Sequence, residues 1–157
     1  MLLFAVLKIA SAKQMTDFIR QYLFNLENAD SIFNPPATQN QITEVESALG
    51  LTFPQDYKHF LLVTNGFEGE VGDTVTIFEP VENILQATKD SCAEFFPWAI
   101  FIGSNGNLEM FVIDKRSSPF QFGLLPYISD DNDFMPLGTS FEQFLGRLKE
   151  GTAFQRK

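Results

Sequence analysis

Cys92 and His59 are the only residues of their types in this chain, and they are the side chains best suited to nucleophilic or general-base chemistry. Such catalysis needs a nucleophile and a base within hydrogen-bond reach, which a sequence reveals only through local signatures. None is present. His59 falls roughly opposite Tyr57, Phe60, Leu61 and Thr64 on a helical wheel, which reads as an exposed or half-exposed histidine. Cys92 takes an inward helical position, which reads as a buried, inert thiol. Zinc draws at least two or three ligands from Cys and His, so one of each argues against a zinc site. Gly103-Ser104-Asn105-Gly106 lacks the spacing of a nucleophile elbow and fits a hairpin turn. The glycines at 66, 69 and 72 match neither a dinucleotide-binding nor a P-loop pattern, with no Lys-Ser or Lys-Thr after them. No cofactor is expected.

Carboxylates are the abundant functional group, and they gather in two places: Glu68, Glu70 and Asp73, then Asp130, Asp131 and Asp133. The second group suggests a hard cation, but an EF-hand loop counted from Asp131 would need glycine where Pro136 stands. A solvated acidic turn is the preferred reading. The chain of 157 residues carries a formal charge of -9, and residues 21–146 hold 18 acids against 4 bases, a balance of -14. Such a field repels nucleic acid. It either keeps the protein soluble or draws a basic partner, and both readings stand.

The elements that must position these groups follow from apolar spacing. Met15, Phe18, Ile19, Tyr22, Leu23 and Leu26 fall on one helical stripe, and Asn34-Pro35-Pro36 then breaks the chain. Thr38 and Gln41 have capping-box spacing, opening a helix that Gly50 should stop. A third helix is expected from about Pro54 to Thr64, closed by Asn65-Gly66. The segment from Gly66 to Asp73 reads as a flexible acidic loop, and Thr74 to Phe78 as a short strand. Val81 to Phe95 suggests another helix, ended by Pro97. Trp98–Ile102 and Leu108–Ile113 form the clearest strand pair, and Phe120–Ile128 adds a strand with Pro126 at a bulge or edge. Phe95-Phe96-Pro97-Trp98 reads as core rather than an exposed patch. Ser140 and Gln143 open a last helix, with Phe141, Phe144, Leu145 and Leu148 inward and Gly151 as its stop.

Helices, then hairpin-linked strands, then a helix imply a single α+β domain with a largely antiparallel twisted sheet of about five or six strands. Residues 1–37 read as an N-terminal helical extension, 38–150 as the domain and 151–157 as a tail. Eighteen phenylalanines supply a core without disulfides or metals, and the lone Cys92 suits a reducing cytoplasm. The opening Met1 to Leu7 is apolar like a signal peptide, but it stops at Lys8 with no base before it; Met15 is an alternative start. No segment has the 18 apolar residues of a membrane-spanning helix, and the Met15–Leu26 stripe is expected to pack on the sheet rather than lie on a membrane.

Three stretches, in order, resemble the SUKH superfamily, which includes fungal Smi-type and Knr-type cell-wall regulators and bacterial immunity proteins. The first is Ile42 to Gly50 followed by Leu51-Thr52-Phe53-Pro54-Gln55-Asp56-Tyr57-Lys58-His59-Phe60-Leu61-Leu62 and Asn65-Gly66, with Phe53 where the family often has leucine. The others are Phe101 to Asn107 with Phe111 to Asp114, and Ser140 to Leu145. The resemblance implies a SUKH-like binding domain rather than an enzyme, its partner chosen by variable loops. It implies an immunity protein that neutralises a cognate bacterial toxin by occlusion; a nuclease toxin, with its basic cleft, would suit carboxylates standing in for phosphates. On this reading Glu68, Glu70, Asp73, Asp130, Asp131 and Asp133 contact the partner. The alternative is a regulatory or scaffold module of the cell-wall-regulator type with an endogenous partner. An aromatic-rich surface also permits a homodimer without requiring one.

Overall fold

Strands here pair with the next strand in the chain, so the whole sheet is a meander. The computed structural model describes residues 18–23 and 30–151. Strands β1 (Ile32–Phe33), β2 (Phe67–Val71), β3 (Thr74–Phe78), β4 (Ala99–Ser104), β5 (Glu109–Asp114), β6 (Gln121–Pro126) and β7 (Met135–Gly138) form one antiparallel sheet in that order. The helices are α1 (Gln39–Leu49), α2 (Gln55–Val63), α3 (Val81–Ser91) and α4 (Phe141–Glu150), with helical residues 18–22 ahead of them. The fold is α+β as expected, and the sheet has seven strands rather than five or six.

Part of the difference is that the expected acidic loop is a strand. In β2, Phe67 and Val71 are buried and Glu68 and Glu70 exposed, the alternation of a half-buried strand. Gly69 is required by crowding, since a Cβ there would lie 2.5 Å from Ser31 Oγ and 2.7 Å from the Phe67 ring. β1 has only two residues, and β7 contains Pro136, which an edge strand tolerates. Between β4 and β5 the register slips at Phe101/Gly103, so Gly103 and Ser104 stay in the strand and the turn falls at 105–108. β6 ends at Pro126, leaving Tyr127 and Ile128 beyond it.

One face of the sheet holds the main core. Phe67, Phe78, Phe111 and Phe122 meet Tyr57 and Phe60 of α2 and Phe141 and Phe144 of α4. Their rings interlock at centroid distances such as 4.8 Å for Phe60–Phe141 and 5.3 Å for Phe111–Phe144. Phe18, Ile19 and Leu23 of the first helical stripe join this core, while Met15 and Leu26 lie outside the described residues, as do residues 1–14 and 152–157. On the other face a smaller apolar layer covers β4–β6, built from Cys92, Phe96, Trp98, Phe101, Met110 and Leu125. α3 stops at Ser91, so Phe96 and Trp98 are buried as expected, whereas Phe95 points to solvent.

Thr38 and Gln41 make the capping box of α1, and Gly50 ends it at φ +71°. β3 meets β4 through only two residue pairs, Ile77–Ser104 and Phe78–Gly103. Beyond that seam the chain turns into α3, which packs on β4 and α1.

Candidate interaction surface

The polar residues of the motif-bearing segments hold the fold together. Asp56 of α2 reaches across to α4 and accepts hydrogen bonds from the Phe141 and Glu142 backbone N–H groups at 3.1 and 2.9 Å. It adds a carboxylate at the positive end of the helix dipole, beside the Ser140 cap on Gln143 N–H. Asn65, buried after α2, accepts from Val81 N–H at 2.7 Å and donates to Glu82 at 2.9 and 3.1 Å, fastening the start of α3. Gly66, at φ +97°, passes so close to β3 that a Cβ would lie 2.7 Å from the Phe78 carbonyl oxygen. Glu46 accepts from Phe53 N–H at 2.7 Å and faces Lys58 Nζ at 3.8 Å, setting the bend between α1 and α2. Each of them fastens one element to another.

Asp130, Asp131 and Asp133 lie in a short 3₁₀ turn between β6 and β7. Asp130 accepts from Asn132 N–H at 2.8 Å, and Asp133 accepts from Asp130 N–H at 2.9 Å, so two of the carboxylates close the turn on itself. Asp131 accepts from Trp98 Nε1 at 2.9 Å. Above that indole lies the Arg116 guanidinium, 3.7 Å from the ring centroid and hydrogen-bonded to Asp114 at 3.0 Å. The hydrogen bond to Asp114 holds the Arg116 pKa above its ordinary value despite partial desolvation. This acidic group is thus built into a local bracket that contains a cation.

Glu68 and Glu70 stand differently. Both project from β2 to the face opposite the main core, and Asp73 is exposed in the turn to β3. Cross-strand register places Ile32, Glu68, Ile77 and Ser104 in one row on that face, and Glu70 with Val75 in the next. Val75 remains 50% exposed. Strands β3 to β5 intervene between β2 and β6, on the order of 20 Å at about 4.8 Å per strand, so the two acidic groups form separate surfaces.

At the 105–108 turn and just past β6, Leu108 is 68% and Ile128 97% exposed, and with Tyr127 they line a shallow cavity of about 520 Å³. The Tyr127 ring sits 6.4 Å from Phe101, and its partial burial raises the phenol pKa. Sequence reasoning missed this apolar rim because Tyr127 and Ile128 were read as strand. The signal that could have found it is Pro126 at the strand's end, after which an alternating pattern no longer predicts burial.

Among the described residues no group of three or more His, Cys, Asp or Glu side chains is placed to hold a metal ion, and no helix is long and apolar enough to cross a membrane. An antiparallel meander with α2 and α4 on one face, braced at Asp56 and Asn65, makes an α+β domain. The chain belongs to the SMI1 / KNR4 family (SUKH-1), whose sequence profile matches residues 36–147. It is also 33% identical over 126 residues, 78% of this chain and 83% of the relative, to "Uncharacterized protein YnaB" of Bacillus subtilis (strain 168).

Proposed function

We propose that this chain is a non-enzymatic protein-binding domain, an immunity protein that acts in the cytoplasm and blocks a cognate toxin by laying an acidic surface over its active site. The observation that carries the reading is the exposed Glu68–Glu70 face of β2, set in a region of strong negative charge. Family membership supports it, since domains of this family are generally binding modules without catalysis. So does the use of Asp56, Asn65 and Glu46 as braces, which gives these polar residues a part in holding the fold. Carboxylates on an open face steer a basic partner into register and speed its association.

The test begins with co-purification of the neighbouring gene's product and assay of its toxicity with and without this chain. Glu68→Lys with Glu70→Lys should then slow association and flatten its salt dependence, because attraction between exposed charges is what salt screens. The side chains point away from the core, so thermal stability should hold. Asp130 and Asp133 are a poorer place for this test, since their reversal also opens the turn they close. Unaltered toxin association after reversal of both acidic groups refutes the surface; binding of an endogenous partner with no toxin neutralised favours the regulatory module.

A further inference from the structure

Seven large apolar side chains are exposed among the described residues; Ile32 and Val75 share the Glu68–Glu70 face, and Leu108, Tyr127 and Ile128 line the cavity at the 105–108 turn and the end of β6. Scattered exposed apolar residues need no explanation, but concentration on one side of a sheet does. The opposite face of the same strands is filled by the main core, and the layer of Cys92, Phe96 and Trp98 covers this side only over β4–β6. Among the described residues that layer does not extend over β2 and β3. The turn at 105–108 bridges the two regions: a Cβ on Gly106 would lie 3.4 Å from Ile77 Cδ1 and 3.6 Å from Val75 Cγ1. The turn thus links the Glu68–Glu70 side, at Val75 and Ile77, to Tyr127, whose N–H donates to the Leu108 carbonyl at 3.0 Å, so a segment lying across this side must span the strands between β2 and the end of β6, on the order of 20 Å at about 4.8 Å per strand.

Charge decides what fits. The bases among the described residues are Arg20, Lys58 on α2, Lys89 on α3, Lys115 with Arg116 after β5, and Arg147 with Lys149 on α4, whose end packs against the Gly72 turn on the core side of the sheet; none belongs to β1–β3 or to the 105–108 turn. A second copy docking through the same face would bring acid against acid. We infer that this face receives a segment of a partner protein that carries lysine or arginine beside a large apolar side chain, the apolar group seated between Leu108, Tyr127 and Ile128 and the cations over Glu68 and Glu70. The inference deepens the proposed function and rests on it for the partner's identity. It also divides the labour: the acids set how fast the partner arrives, and the apolar seat sets how long it stays.

Two measurements test it separately. In the first, a short synthetic peptide with a leucine pair flanked by lysines is titrated into the isotope-labelled full chain. Amide shifts should gather at Glu68, Glu70, Val75, Leu108, Tyr127 and Ile128, and vanish when the peptide's lysines become glutamates. Shifts elsewhere, or none, overturn the inference. In the second, Leu108→Asp with Ile128→Asp is measured against the neighbouring gene's product. Both side chains are largely in solvent, so the fold should be unaffected, and dissociation should quicken by about tenfold or more. A complex that forms with unchanged dissociation overturns the apolar seat and leaves the immunity reading intact. Peptide shifts on this face with no complex retain the surface and remove the immunity reading.

Discussion

Replacing Asp56 with alanine tests the architecture at its longest reach, because this side chain joins α2 to the start of α4 across 85 and 86 residues of chain. The variant loses two hydrogen bonds from backbone N–H groups to a carboxylate and the favourable placement of that charge at a helix N-terminus. Loss of an N-cap costs about 0.5–2 kcal/mol, and hydrogen bonds to charged groups contribute about 1.5–3 kcal/mol. Ser140 still caps Gln143 N–H, and the exposed Glu142 N–H regains water, which limits the loss. The Phe141 N–H is less able to recover, since its side chain is fixed among Tyr57, Phe60 and Phe78. About 2 kcal/mol is therefore expected, or about 4–8 °C in the melting temperature for a domain of this size. Urea unfolding followed by fluorescence and circular dichroism should show a lower midpoint with an unchanged slope. Asp56→Asn, whose amide oxygen can accept only one of the two bonds well, should fall between. A loss below about 0.5 kcal/mol would refute the clasp.

Tyr57→Phe should leave stability unchanged or raise it by about 1 kcal/mol, because the Tyr57 hydroxyl is buried without a hydrogen-bond partner and burial pushes its pKa well up; a clear loss in urea unfolding would reveal a partner for it. Asn65→Ala should cost about 2–3 kcal/mol by orphaning Val81 N–H, and Asn65→Asp should do little better, since it restores that acceptor but sets a carboxylate against Glu82. Burial pushes the Cys92 thiol up to about 12 from an ordinary value of 9.0, so the folded chain should resist a thiol reagent at pH 8 and react once unfolded. The unfolded chain ionises first, so Cys92 contributes its full stability below about pH 9 and loses it as the pH rises toward 12; a urea midpoint as steady in alkali as that of Cys92→Ala would contradict this.

Helix ends and the α+β order were legible because they are written locally: Thr38 with Gln41, Pro54, Ser140 with Gln143, and Gly50 each act within a few residues of themselves. β2 was not, because Gly69 looks like a loop residue until Ser31 and the Phe67 ring are seen to occupy the space of its missing side chain. β1 and β7 escaped because two residues, or four with a proline, give too little alternation to read. The acidic groups were visible as composition, but their different circumstances were not. Asp131 meets Trp98 across 33 residues, and the row of Ile32, Glu68 and Ile77 exists only through register. Spacing along a chain carries no information about either.

The α4 helix supplies Phe141 and Phe144 to the centre of the aromatic cluster, and it follows every strand in chain order. A ribosome that has finished the sheet has therefore produced a floor of phenylalanines that α2 covers only in part, however complete its hairpins. Synthesis of α4 is the moment at which a sticky nascent chain becomes a closed domain. Arrest just short of residue 140 should yield a product that chaperones hold and proteases clear.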